Sequence, residues 1–237
     1  MTRLATAERA VAAYGGEARW KTASAVEATI TSGGLALRTK WRRGFHELQV
    51  KAEVSEPRIR LRPIDRRGSV GVLDGHAVRI ENERGDVLAS RSDSRSRFPY
   101  GRRLLWWDNL DHVYFAGYAM WNYLTFPALL LRDDIEWTED AANTLEARFP
   151  PQLPTHCEVQ RFHFDPSTGL LRQHDYTAEV FGGWAKAAHV ILEHGTWKEL
   201  PFPSKRHVTP RGPGGRPLPG PVLVWLEVRD WRLLSKD

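Results

Sequence analysis

The segment 161–176 gathers side chains that titrate or polarise near neutral pH: two histidines in His163 and His174, a phenol in Tyr176, and guanidinium groups in Arg161 and Arg172. Such a set can polarise a carbonyl, hold an anion and move a proton. Spacing decides whether its members meet. In a strand over 170–180, alternation places Arg172, His174 and Tyr176 on one face and Leu171, Gln173 and Asp175 on the other. If the turn Asp165-Pro-Ser-Thr-Gly169 pairs His163 with Arg172, then Arg161 and His163 join that face, and a slip of one residue undoes the grouping. The candidate catalytic set is therefore His163, His174 and Tyr176, with Arg161 or Arg172 as anion clamp. A solvated outer sheet face shows the same alternation, and that reading stands beside the chemical one.

Other reactive types are more scattered. His189 and Glu193 share one face of a regular strand, whereas His189 and His194 fall on opposite faces. The nine histidines contain no close pair at ligand spacing, so no metal site is expected. Cys157, the single cysteine, follows His156 and reads as a packing residue more readily than as a nucleophile. Neither a phosphate-cradling loop nor a dinucleotide fingerprint occurs, and no cofactor is expected.

A second concentration of chemistry is aromatic. Asp108 reads as a helix N-cap with Asp111 in the capping position, and Leu110, Val113, Tyr114, Gly117, Trp121 and Leu124 recur at helical spacing. The expected helix covers 108–126, ending at Phe126-Pro127. Tyr114, Tyr118, Trp121 and Tyr123 each join an apolar body to a polar tip, which suits either a ligand pocket or the filling of a sheet's concavity. The uncharged run Val113 to Leu131 is interrupted by Asn122, Thr125 and Pro127 and lacks a basic cluster on one flank, so no transmembrane span is expected. Trp106 and Trp107, following Arg102-Arg103, suit lid packing or peripheral contact with a membrane interface.

These groups need a scaffold. A helix over 6–14 stops at Gly15-Gly16, and period-two patterning then begins. Strands are expected at 25–31, 35–43, 45–55, 58–64, 69–73 and 77–90. A polar, basic loop over 91–103, expected to be an exposed connection, leads to the helix. Strands resume at 134–137, 144–149, 159–164, 170–180, 187–197, 204–209 and 222–233, with a Pro/Gly loop over 210–221. No linker or repeat divides the chain, so 1–237 reads as one domain, mainly β with an α+β character. With 41% hydrophobic and 27% charged residues the chain falls outside the disordered class. Residues 1–105 carry 21 Lys and Arg against 12 Asp and Glu, but the arginines are spread along strands and no nucleic-acid motif accompanies them; nucleic acid is not an expected partner. Glu8 and Arg9 interrupt any apolar leader, and a lone cysteine excludes an intrachain disulfide, so a cytoplasmic location is expected.

Glu8-Arg-Ala-Val-Ala-Ala-Tyr-Gly-Gly-Glu-Ala-Arg-Trp20 before the first strand, and Phe162-His-Phe-Asp-Pro-Ser-Thr-Gly-Leu-Leu-Arg-Gln-His-Asp-Tyr176 across a later hairpin, carry a resemblance over nearly the whole chain. With about a dozen consecutive antiparallel strands, the chain resembles the LolA/LolB-like lipoprotein-carrier fold. The resemblance implies an incomplete antiparallel barrel of about 11 to 13 strands, an N-terminal helix, a central aromatic plug helix, and a concavity for acyl chains or other apolar ligands. It supplies no functional residues. No lipidated cysteine stands near the start, which departs from lipoprotein members of that family. The fold is also similar to that of a cofactor-independent enzyme of violacein synthesis. Three functions follow: binding of an apolar or aromatic small molecule; a cofactor-independent isomerase, cyclase or lyase; or a protein interaction module. Whether His174 and Tyr176 face the same cavity as Trp121 or the opposite, solvent side decides the enzyme reading built on them.

Overall fold

The computed structural model describes residues 4–236. Two short helices, α1 (Ala5–Ala13) and α2 (Glu17–Lys21), precede strand β1 (Ala23–Gly33) and a helical turn α3 (Leu35–Arg38). A meander of β2 (Leu48–Glu53), β3 (Arg58–Arg62), β4 (Val70–Asp74), β5 (Ala77–Glu81) and β6 (Val87–Arg91) follows. The chain then forms helices α4 (Asn109–Leu124) and α5 (Phe126–Leu129). Seven strands complete it: β7 (Glu136–Ala141), β8 (Thr144–Arg148), β9 (Val159–Phe164), β10 (Leu171–Thr177), β11 (Lys186–Trp197), β12 (Leu200–Pro210) and β13 (Val224–Ser235).

All thirteen strands form one antiparallel sheet in the order β6-β5-β4-β3-β2-β1-β13-β12-β11-β10-β9-β8-β7. The first and last strands pair at its centre, from Ala23 opposite Ser235 to Gly33 opposite Trp225. The edges, β6 and β7, do not pair with each other, so the sheet curls without closing. The segment joining them crosses the concavity. Its helix α4 brings a buried aromatic face that only the inner sheet surface can cover, which holds the barrel open around it.

Local chemistry fixes the ends of α4. Asp108 Oδ1 accepts from the Asp111 amide at 2.7 Å, and Asp111 Oδ2 accepts from the Asp108 amide at 3.1 Å, a reciprocal capping box. Arg91, Arg102 and Arg103 converge on the fully buried Asp111 at 2.7, 3.0 and 2.6 Å. The basic segment 91–103 is therefore not a plain exposed connection: three of its arginines neutralise the helix start, and Phe98 packs inside. Gly117 lets α4 lie close on the sheet, since a Cβ there would stand 3.0 Å from Leu73 Cβ.

Two expected strands change. Residues 35–43 form no strand, because β1 pairs directly with β2 and leaves this segment no neighbour; Leu37 and Lys40 are buried while Trp41 stays exposed. Residues 77–90 split at a turn in which Asn82 Oδ1 accepts from the amides of Arg84 and Asp86. The 165–169 turn forms as expected: Gly169 takes φ +73° and lies against α1, where a Cβ would stand 3.0 Å from the Arg9 carbonyl oxygen. Among the described residues, no helix is long and apolar enough to cross a membrane.

Candidate functional site

The concave face of β9 to β12 sets buried polar side chains among its apolar ones. Strand pairing sets Phe162, His174, His189 and Val208 side by side in one row across β9, β10, β11 and β12. The next pairing places Ile191 opposite Arg206. Alternation carries Gln160 of β9 and Tyr176 of β10 inward as well, and His156 enters from the loop before β9. From the other side come Tyr118, Asn122 and Tyr123 of α4, and from the end of α1 comes Tyr14.

A chain of hydrogen bonds links these groups. Tyr123 Oη lies 2.7 Å from His156 Nε2 and 3.0 Å from Tyr176 Oη; Tyr118 Oη lies 3.3 Å from His156 Nδ1. The His156 ring stacks on Tyr176 at 3.7 Å between centroids. Gln160 donates to Thr155 Oγ1 and the Cys157 carbonyl, which leaves its Oε1 to accept from His174 Nε2 at 2.7 Å and so fixes that tautomer. Burial pushes the pKa of His156, His174 and His189 well below the ordinary imidazole range, and it pushes Tyr118, Tyr123 and Tyr176 above the ordinary phenol range. At neutral pH the whole network is uncharged.

Arg206 is the exception. It is buried, with a pKa lowered by desolvation to about 10, and still cationic at neutral pH. Its Nη2 donates weakly to the carbonyls of Tyr123 at 3.3 Å and Pro203 at 3.5 Å, and the guanidinium stands 5.0 Å from the Tyr123 ring centroid. Among the described residues no carboxylate lies within ion-pair distance of it. Its Nε, both ring nitrogens of His189 and Oδ1 of Asn122 have no hydrogen-bond partner.

The candidate catalytic set divides between the two faces of the sheet. His174 and Tyr176 face α4, on the same side as Trp121. His163 does not join them. The expected pairing of His163 with Arg172 is replaced by His163 opposite Gln173, because an extra residue bulges out of β10 between Leu171 and Gln173. His163 Nε2 instead contacts Asp175 Oδ2 at 3.0 Å, Arg161 pairs with Glu146 at 3.0 Å and Asp140 at 3.3 Å, and Arg172 is exposed in the bulge. A second bulge, in β11 between Ile191 and Glu193, overturns the other face assignments. His189 and His194 both point inward, the latter 3.2 Å from Tyr14 Oη, while Glu193 turns out to Lys205.

The aromatic candidates also separate. Tyr118 and Tyr123 belong to the polar network. Tyr114 lies 2.9 Å from His76 Nδ1, and Trp121 Nε1 donates to the Glu53 carbonyl at 2.8 Å. Trp107 is buried against Phe98, Phe115 and Phe181. Trp106 is 43% exposed between the guanidinium groups of Arg42 and Arg102. Cys157 donates to the Val159 carbonyl, and burial raises its thiol to about 11, far from a thiolate nucleophile. Sequence reasoning missed His156, Gln160, Asn122, Tyr14 and Arg206. For Arg206 a signal existed, since it shares strand parity with Val208 and so sits on the apolar side of β12.

Little space remains between plug and sheet. A slot of about 40 Å³ lies between α4 and strands β1, β12 and β13, lined by Phe45, Ala116, Ala119, Met120, Val208 and Leu226, with Tyr123 and Tyr176 also on its wall. Two cavities of about 10 Å³ flank Arg206, one towards His174 and His189, the other towards Trp20 and Trp231. Tyr123 borders all three.

An unclosed antiparallel half-barrel wrapped on an aromatic helix is the architectural class this chain defines. Solved structures place it more narrowly. It superposes on a LolA superfamily protein from Nitrosomonas europaea with TM-score 0.55 and 12% identity, covering 100% of this chain and 96% of that one. A DUF1329 family protein from Desulfovibrio piger gives 0.53 and 11%, covering 97% and 92%. A domain described as an outer membrane lipoprotein-sorting protein, from Vibrio parahaemolyticus, gives 0.50 and 11%, covering 96% and 90%. The chain has the LolA-like fold. No protein-family model and no curated protein matches its sequence.

Proposed function

We propose that this protein binds an apolar or aromatic small molecule between α4 and strands β12 and β13. The observation that carries the reading is the 40 Å³ apolar slot, left where two alanines of α4, Ala116 and Ala119, face the sheet. Helix α4 seats on β2 to β6, and its flank towards β12 and β13, where Arg206 meets the Tyr123 carbonyl and ring, is the one that parts. Ligand pockets are commonly several hundred Å³, about 300 or more; uptake therefore widens the slot by moving this flank. Apolar burial drives it, at about 25 cal/mol per Å² before ordering costs. The neutral aromatic probe 1-aminoanthracene tests the reading. Saturable one-to-one uptake with enhanced fluorescence, abolished by Ala119→Trp in a variant that keeps its native near-ultraviolet circular dichroism, is the expected outcome. Equal uptake by that folded variant would remove the slot from consideration.

A second reading, a cofactor-independent isomerase, cyclase or lyase, is favoured by the inward orientation of His174 and Tyr176 beside Tyr123 and His156. Its working groups are then His156, His174, Tyr123 and Tyr176, with Arg206 in the clamp role and without His163, Arg161 or Arg172.

A further inference from the structure

Arg206 marks a site of its own. The buried carboxylates of the fold are matched, Asp111 by three arginines, Asp175 by His163 and Arg211, Glu81 by Arg60 and Arg79, and the buried Lys40, which has no carboxylate partner among the described residues, donates to the Leu104 carbonyl beside the Trp107 and Phe181 rings. Arg206 differs in that its Nε has no partner at all; leaving a buried guanidinium N–H unmet is expensive, and a bound anion would offset that cost. The groups packed around Arg206 supply none. Tyr14, Tyr123 and Tyr176 are neutral phenols with raised pKa values, and His174, His189 and His194 are neutral imidazoles with lowered ones. The unmet hydrogen bonds point the same way. Arg206 Nε and both nitrogens of His189 have no partner, and these two residues line one cavity. Guanidinium and imidazole N–H donors around a single small space match the two oxygens of a carboxylate.

We infer that Arg206, with an N–H of His189, holds the carboxylate of an apolar acid whose tail lies in the slot beside α4. The inference rests on the binding reading above and names the class of ligand: a fatty or aromatic carboxylic acid. Tyr123 is the wall common to the slot and the Arg206 cavity, so a shift of its ring joins them into one amphipathic channel. The cavity beside Arg206, about 10 Å³, has room for about one water, so the carboxylate enters by displacing the Tyr123 ring from its place over the guanidinium. In exchange for that cation–π contact the guanidinium gains charge-assisted hydrogen bonds.

Matched ligands test it. Isothermal titration calorimetry compares dodecanoate with dodecanol, both below micelle formation, on the full chain and on Arg206→Met. Dodecanoate should bind the native protein at least about tenfold more tightly than dodecanol, and Arg206→Met should erase that preference while leaving dodecanol affinity unchanged. Equal affinities on the native protein would overturn the carboxylate site and leave the apolar slot standing. Binding of neither ligand overturns the slot and the site together. Acetate binding as tightly as dodecanoate would overturn the apolar acid in favour of a small free anion. A readout independent of the variant is the carbon-13 shift of carboxyl-labelled dodecanoate bound to native protein. Its titration midpoint should fall below that of the free acid, as beside a cation; a midpoint at or above the free value overturns contact with Arg206.

Discussion

The two halves of the sheet bury opposite kinds of surface. Strands β2 to β5 present Val50, Ile59, Leu61, Leu73 and Val78 to α4, and the helix comes down on them at Gly117 in tight apolar contact. Strands β9 to β12 present Gln160, His174, Tyr176, His189 and Arg206 to the same helix, with space and unmet hydrogen bonds left over. One half has the composition of a core that only needs to be stable. The other holds polar groups that lower stability unless satisfied, and such groups belong where a ligand or a reaction requires them.

Acid should break the polar half first, and this is the largest effect expected. His156, His174 and His189 are held neutral by burial, with folded pKa values below the unfolded value near 6.5. Above about pH 6.5 neither state takes a proton and stability does not depend on these residues; below it only the unfolded chain does, so stability falls with pH. Each histidine contributes a slope of at most about 1.4 kcal/mol per pH unit. Three together consume an ordinary domain stability of about 5–15 kcal/mol within a few units. The Asp108 cap, whose carboxyl is held at about 2, is protonated only later. Circular dichroism should record unfolding by about pH 4, and hydrogen exchange on the way down should show amides of β9 to β12 opening before those of β2 to β5. Simultaneous opening, or a fold intact at about pH 3, would remove the distinction between the halves.

Leu73→Ala attacks the other half. It cuts side-chain volume beneath Gly117 in a fully buried position, and its expected cost is about 2–5 kcal/mol in urea unfolding. The slope of stability against pH between about 4 and 6 should stay as in the native protein, since no titrating group is touched. A smaller loss, about 1–3 kcal/mol, is expected for Tyr123→Phe, which strips His156 Nε2 and Tyr176 Oη of their common partner.

The apolar half was legible in the sequence because its strands are regular. Ile59 and Leu61 alternate with Arg58, Arg60 and Arg62, and the structure keeps that parity throughout β3. Asp108 and Asp111 likewise announced the helix through local capping chemistry. The polar half was only partly legible, for a definite reason. Bulges in β10 and β11 shift side-chain parity midway along each strand, and nothing in the residues of a bulge declares it. His163 was therefore assigned to the wrong face, and His194 to the face opposite His189. His156 lies in a loop, where period two gives no direction at all. Arg206 sat on the apolar parity of its strand, and the presumption that arginine faces water hid it.

His189→Leu gives the smallest change and the sharpest comparison. In an ordinary core, replacing a buried histidine removes hydrogen bonds and destabilises the fold. Here both ring nitrogens lack partners, the ring packs against Tyr123 at 4.5 Å, and its pairing neighbours His174 and Val208 tolerate an apolar side chain between them. Leucine removes the desolvation penalty of two polar atoms and keeps most of the packing, so stability at pH 7.5 should rise by about 1 kcal/mol in urea unfolding. The gain should grow as pH falls below about 6.5, because one of the groups that protonates only in the unfolded chain is gone. A loss of more than about 1 kcal/mol at pH 7.5 would mean that His189 is satisfied in the folded protein, and the polar half would then be a self-sufficient core rather than a binding site.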